Sequence, residues 1–358
     1  MLFISNQFGV FLIGVSSGFI SSLYSQIYGY LLKYMPQLFA NVLSFIIAFA
    51  IFAVILAILI VLFVYLFGWG ERKIMGRMQS RHGPTYTGPF GILQNMADVL
   101  KLLTKENIVP KNADMPLFTM ILPVVYALFV FAFAFIPITS TFVGINTSVA
   151  LIAVFLILSF IPILIFLAGW TSGNKFGSIS AQRSVVMLVS YELPLILIIA
   201  SVAIAAHGFS FMSIVSSQSH IWYALLLPIG FVLFFIIMLA ELERPPFDIR
   251  EADNELIAGW LTDVSAPYYG LALFLDYTRM FVGTLLITIL FLGGWNGPIL
   301  PPFAWTMIKV IILTVFIIVI RATTVRMTLR RLLKVGWLYL LPLAVINIFA
   351  SYIIFVWF

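Results

Sequence analysis

The chain has no cysteine, only three histidines (His82, His207 and His220) and few charges, with 9% of its 358 residues being Asp, Glu, Lys or Arg. Without cysteine it forms no disulfide and holds no thiolate zinc site or cysteine-ligated iron–sulfur cluster. The histidines are not paired at helical spacing, which speaks against an intramembrane haem. Electron carriers for any redox reaction would therefore sit on other subunits. Long stretches lack charge altogether. No ionised side chain lies between Asp114 and Lys175, or between Glu192 and Glu241. Each gap accommodates two membrane spans of about 20 residues. The N-terminus has no Lys/Arg-rich n-region, so no cleaved leader is expected.

What is present is apolar. The chain is 63% hydrophobic with a mean hydropathy of +1.15, far outside the soluble range. This predicts an all-α integral membrane protein, a single polytopic domain over 1–358. Eight spans are expected, at about 42–68, 117–138, 149–169, 183–206, 222–241, 269–292, 304–321 and 336–357. Basic residues fall in alternate connections: 71–116, 170–182, 241–268 and 322–335. The connections 139–148, 207–221 and 293–303 have no Lys or Arg. By the positive-inside rule the charged loops face the cytoplasm. Topology accounts for the net charge of +6, and nucleic-acid binding need not be invoked. Residues 1–40 hold an apolar stretch followed by a Ser- and Tyr-rich one. A surface-lying segment is favoured there over a ninth span.

Negative charge is concentrated in one place. Residues 241–263 carry seven of the chain's 13 carboxylates: Glu241, Glu243, Asp248, Glu251, Asp253, Glu255 and Asp263. Only Arg244 and Arg250 oppose them. Acids crowded at a membrane edge point to the handling of cations, protons above all. The apolar residues bounding them, Phe247, Leu256, Ile257 and Trp260, argue against a merely solvated loop. Pro245-Pro246 blocks an earlier helix start, Asp248 is placed to cap a helix, and Glu251 and Glu255 would lie one turn apart on it. Glu192, in the fourth span, has no charged neighbour in sequence. An acid there costs roughly 2.5–3.5 kcal/mol to insert, so it needs a role or a partner. Asp276 is the second such acid, and Arg279 three residues on offers an ion pair as its alternative account.

The 71–116 loop turns on Gly83-Pro84 and Gly88-Pro89 and then enters an amphipathic helix. Ile92, Met96, Val99 and Leu103 share one face, with Gln94, Asp98, Lys101 and Lys105 opposite. The segment either floats on the membrane surface or roofs a cavity open sideways to lipid. In the second case its Lys and Asp would face a partner subunit.

Three ordered runs resemble the membrane component of respiratory complex I that forms the quinone chamber, known as subunit 1 or the H subunit. The first runs from Glu71-Arg72-Lys73 through Gln79, Arg81, Gly83-Pro84, Gln94 and Asp98 to Lys101 and Glu106. The second is Trp170, Ser172, Asn174-Lys175, Arg183 and Ser190-Tyr191-Glu192. The third is Glu241, Arg244, Pro246-Phe247-Asp248, Glu251-Ala252, Glu255-Leu256 and Gly259. Departures include Asp253, Asp263 and Asp276 where the family usually has Glu, Val264 in place of a Tyr, and extra positive charge at 326–331. They suggest a distant branch, such as complexes driven by F420H2 or ferredoxin.

The resemblance implies strongly tilted spans and a quinone chamber shared with peripheral iron–sulfur subunits. It also implies a charged path towards antiporter-like membrane subunits, with quinone as substrate and no covalent cofactor or metal. Glu71, Arg72, Gln79, Arg81, Asp98 and Lys101 would form the chamber and its contact with the peripheral arm. Glu192, Glu241, Arg244, Asp248, Glu251, Asp253, Glu255, Asp263 and Asp276 would form the proton path. The expected seat is the cell membrane. Two other readings stand beside this one: the membrane anchor of a related hydrogenase, and a stand-alone ion transporter. The intact first and third runs favour the quinone-chamber reading, and no internal repeat of the transporter kind is present.

Overall fold

The computed structural model describes residues 19–357, apart from the side chains at 38, 253, 254, 356 and 357, and the described residues contain helices and no strand. The longer helices are α1 (Phe19–Leu31), α2 (Gln37–Met78), α3 (Gln94–Thr104), α4 (Met115–Phe135), α5 (Ala150–Thr171), α6 (Lys175–Ala205), α7 (Pro228–Glu241), α8 (Ala266–Phe291), α9 (Pro302–Thr323) and α10 (Leu329–Phe355). Among the described residues seven of them, α2, α4, α5, α6, α8, α9 and α10, are long and apolar enough to cross a membrane. The chain is a multi-pass membrane protein.

The span expected at 222–241 is not one helix. A short turn, Tyr223–Leu226, breaks at Leu227 (φ −124°, ψ 63°), and α7 restarts on Pro228. Proline has no N–H to continue the ladder but suits a first helical turn. Gln218 holds the break from outside, its Oε1 accepting from the backbone N–H of Tyr223 at 3.2 Å. With 14 residues, α7 is about 21 Å long, short of a bilayer by itself.

At the other extreme, α2 has 42 residues, a length of about 63 Å. Residues 1–18 lie outside the described residues, so that part of the N-terminal expectation is not addressed. Residues 19–31 form α1, about 20 Å long and too short to span. It packs on the first half of α2 and on the 139–145 loop. Phe19 N donates to Val143 O at 2.9 Å, and Tyr24 Oη donates to Asn41 Oδ1 at 3.0 Å.

Helix α8 is the hub. Every residue from Thr278 to Phe291 is buried, and the aromatic rings of Phe63, Phe67 and Phe133 close on Phe281. By contrast α2 and α10 show wide apolar faces to the outside, for example Val54, Ile58 and Leu62. The loops sort to two ends. The 71–116, 241–265 and 324–328 segments meet at the charged end. The 136–149, 207–222 and 292–301 segments meet at the other, which has no charged loop residue among those described.

Candidate functional site

At the charged end a cavity of about 430 Å³ lies between α2, α3 and α8. The apolar face of α3 forms its roof through Met96, Val99, Leu102 and Leu103, while Val61, Val64 and Phe274 form its walls. Side chains hold the roof down. Tyr65 Oη donates to Ile92 O at 2.5 Å, Asn95 Nδ2 donates to Tyr65 O at 2.9 Å, and Trp69 Nε1 donates to Phe90 O at 3.1 Å. The amphipathic segment therefore covers a cavity and does not float free. Asp98 is bonded within the chain: Arg72 Nη1 meets its Oδ2 at 2.6 Å and Gln94 donates to its Oδ1 at 3.1 Å. Partial burial works to raise the Asp98 carboxyl, but these donors outweigh it and hold the group below the usual range. Arg72 also lines a polar cleft of about 300 Å³ with Arg81, His82 and Gly83-Pro84. An apolar cavity thus ends in a charged pair that borders a polar cleft.

The acidic loop starts behind the cavity's inner wall. Tyr277 lines the cavity, and the Arg244 guanidinium lies 5.6 Å from its ring centre. Arg244 Nη1 reaches Glu71 Oε1 at 3.1 Å, and Arg321 pairs with the same oxygen. Glu71 is 3% exposed, and its Oε2 has no hydrogen-bond partner among the described residues. It therefore belongs to the buried network and not to the cavity surface. Arg321, which topology alone seemed to explain, is one of its two partners.

Deeper in, Arg250 and Arg279 both converge on Glu243, Arg279 Nη1 standing 3.2 Å from Glu243 Oε2. The ion pair offered for Asp276 and Arg279 does not form among the described residues, because Glu243 takes the arginine. Asp276 instead acts on Glu251. Burial first, and then the field of Asp276, push the Glu251 carboxyl up to about 7. Arg250 Nε and Nη1, Arg279 Nε and Nη2, and Trp260 Nε1 have no hydrogen-bond partner among the described residues. Buried donors of that kind are normally satisfied by protein or by ordered water.

Beyond this cluster Tyr191 hydrogen-bonds Glu241, and Glu192 lies within reach of the same carboxylate. Two small cavities of about 10 Å³ flank Glu241. One is lined by Tyr191 and Glu192, the other by Arg279 and Gly283. Each has about the volume that one water needs.

The loop's backbone is not the helix expected from Asp248 onward. Only Asp253–Leu256 is α-helical, with Ala252 and not Asp248 at its N-cap, and Asp248 pairs with Arg326 at 2.9 Å. Glu251 and Glu255 consequently point to different places. The competing force is the number of backbone groups taken by neighbours. Ser180 Oγ donates to Arg250 O at 2.8 Å, Arg183 Nη1 donates to Ile249 O at 3.2 Å, and Met327 N donates to Pro246 O at 2.9 Å. Gly259 fixes the return, since its φ of +57° and the carbonyl of Arg250 leave no room for a Cβ.

The remaining candidates sit apart. Glu255 is largely exposed and paired with Arg183 at 2.6 Å. Asp263 is part-buried below the loop. The side chain of Asp253 lies outside the described residues. Gln79 and Arg81 bond to each other at 2.8 Å on the surface, and Lys101 is exposed. One buried cation went unread in the sequence. Lys309, inside α9 near the uncharged end, donates to the carbonyls of Leu292, Gly294 and Asn296 at 2.7, 2.8 and 3.0 Å. Its signal was a Lys well inside a span whose one other charge, Arg321, lies in its last turn.

The sequence has counterparts among known proteins. The sequence profile described as NADH dehydrogenase matches residues 49–352. The chain is 38% identical over 282 residues to the H subunit of the NADH-quinone oxidoreductase of Dehalococcoides mccartyi, covering 79% of this chain and 80% of that one. It is 38% identical over 290 residues to the H subunit of the Bacillus cytotoxicus enzyme, covering 79% and 87%. It is 37% identical over 292 residues to a second-numbered H subunit of Syntrophobacter fumaroxidans, covering 79% and 88%.

Proposed function

The chain belongs to the NADH dehydrogenase family, and from that premise we propose that it is the quinone-chamber membrane subunit of a proton-translocating quinone oxidoreductase. It is not catalytic alone. Peripheral subunits carry the iron–sulfur clusters and deliver electrons, and antiporter-like membrane subunits continue the path. The quinone enters from lipid through the cavity under α3. Its apolar tail is matched by Val61, Val99 and Phe274, and its headgroup meets the Arg72–Asp98 pair. The seat is the cell membrane, with the charged end on the cytoplasmic side.

The observation that carries this reading is the unbroken polar succession behind the cavity wall. It runs from Tyr277 and Arg244 to Glu71, through Glu251 and Asp276, across the Arg250–Glu243–Arg279 cluster, to Glu241 and Glu192. Quinone reduction takes up electrons and protons together. A change of charge at the chamber changes the proton affinity of Glu251, and the water-sized gaps on both sides of Glu241 give a proton somewhere to go next. The names of the relatives favour this reading over the hydrogenase anchor and the lone transporter. A photoreactive quinone analogue tests it in the assembled complex. Label should appear on α2, α3 and α8 around the cavity, and Asp98→Asn should raise the quinone KM several-fold with assembly intact. Label confined to the 292–301 side would sink the assignment.

A further inference from the structure

The start of α10 carries three exposed cations, Arg330, Arg331 and Lys334. None of them forms an ion pair among the described residues. Their neighbours behave differently: Arg321 is committed to Glu71 and Arg326 to Asp248. Positive-inside topology is satisfied by a basic residue anywhere in the loop, so it does not explain why these three share a face. At helical spacing Arg330, Arg331 and Lys334 fall within about 100° of the helix circumference, and Trp337 and Leu338 follow in the π-helical turn Gly336–Leu340. Trp337 is 44% and Leu338 61% exposed, and the outer surface continues down the helix through Leu343, Ile346 and Phe349. Cations come first, an aromatic with a polar edge next, and hydrocarbon below.

That sequence of chemistries matches one ligand along its length. We propose that the head of α10 is a binding site for an anionic phospholipid. Arg330, Arg331 and Lys334 hold its phosphate, Trp337 lies at glycerol depth, and its acyl chains run along Leu338 to Phe349. Aromatic side chains concentrate at this depth of a bilayer, and basic clusters beside a span attract anionic headgroups. The local electrostatics also call for an external anion. The first turn of a helix carries partial positive charge, so Arg330 and Arg331 there, with Lys334 one turn on, repel it and one another, and a bound counter-charge relieves both. A free phosphate would satisfy the guanidinium groups but would leave Trp337 and Leu338 uncovered. A zwitterionic lipid would cover them but bring its own cation.

The test uses the whole complex, reconstituted in nanodiscs of phosphatidylglycerol and phosphatidylcholine in equal amounts and then extracted in mild detergent. Mass spectrometry counts the lipids that stay bound. Arg330→Gln/Arg331→Gln/Lys334→Gln should retain at least one phosphatidylglycerol fewer than the wild type, whereas Arg330→Lys/Arg331→Lys should retain the full number. Added inorganic phosphate should displace none. An unchanged phosphatidylglycerol count in the triple variant would overturn the site. Displacement by phosphate alone would reduce it to an ion site, and loss of a protein subunit with the lipid count intact would make it a protein interface. Should the triple variant fail to assemble, the wild type still decides the matter. Brominated phosphatidylglycerol should quench the fluorescence lost in Trp337→Phe at least twofold more than brominated phosphatidylcholine, and equal quenching would refute the proposal.

Discussion

The two ends of the bundle solve the same problem, burying polar groups among apolar helices, in opposite ways. At the uncharged end the three N–H bonds of Lys309 reach three carbonyls. Gln218 Nε2 donates to Ile214, Ile289 and Leu290, and its Oε1 accepts from Tyr223 and Gly293. These two residues tie off the carbonyl end of α8, where a cation is also favoured by the helix dipole. At the charged end Arg250 and Arg279 share one carboxylate and keep nitrogens without a partner among the described residues. A fully satisfied buried network fixes structure, and one with spare donors and several acids invites water and mobile protons. On the proposed function, the difference separates scaffold from machinery within one chain.

The sharpest way to break the comparison is to damage the scaffold. Lys309→Met leaves three carbonyls without their donor, at a cost of about 3 kcal/mol. The melting temperature of the purified complex should fall, while turnover per assembled complex stays near wild type. A Lys309→Met complex of normal stability but lost proton pumping would move Lys309 into the machinery. Damage to the machinery should look the reverse. Glu241→Gln keeps the shape and the Tyr191 contact but carries no exchangeable carboxyl proton. Coupled turnover should drop by about tenfold, roughly 1.4 kcal/mol in the barrier, with the melting temperature held. Glu192→Gln should follow it. Undiminished proton pumping in both variants would remove these residues from the path. Arg244→Lys is a milder probe. It keeps the charge beside Glu71 but loses the planar group that faces Tyr277. A loss of a few-fold in turnover is expected, and full activity would leave Arg244 only its topological role.

The division between the two ends also marks what the sequence made legible. Hydropathy and charge placement were enough for the apolar helices and for the ends at which their loops lie, because burying or exposing charge in lipid has a large cost. The face of α3 was readable from its period, down to Met96, Val99 and Leu103 over the cavity. The break at Leu227 was not, since Pro228 alone does not distinguish a kink from a restart. Pairings were the least legible part. Arg279 lies a helical turn from Asp276 yet bonds Glu243, 36 residues back, because the loop folds under α8. Glu71 read as a chamber and arm-contact residue of the first loop, and it is buried beneath two arginines from elsewhere in the chain. Local spacing reports which residues share a face and is silent on which distant segment arrives there.

At Glu251 the comparison becomes a pH dependence. Its carboxyl sits at about 7 in the folded protein, against an ordinary value of 4.5, because burial and then Asp276 disfavour its charge. Between those two values the folded chain keeps a proton that the unfolded chain has released. Unfolding then loses protons, so stability falls as pH rises through this window and levels off above about 7. The contribution is on the order of 1–3 kcal/mol across the window. Melting temperatures of the complex from pH 5 to 8 should decline for the wild type and decline less for Glu251→Gln, whose amide does not titrate. If Glu251→Gln and wild type melted in parallel over that range, the charged end would be as rigidly fixed in protonation as the Lys309 end, and Glu251 would not be the group that answers the chamber.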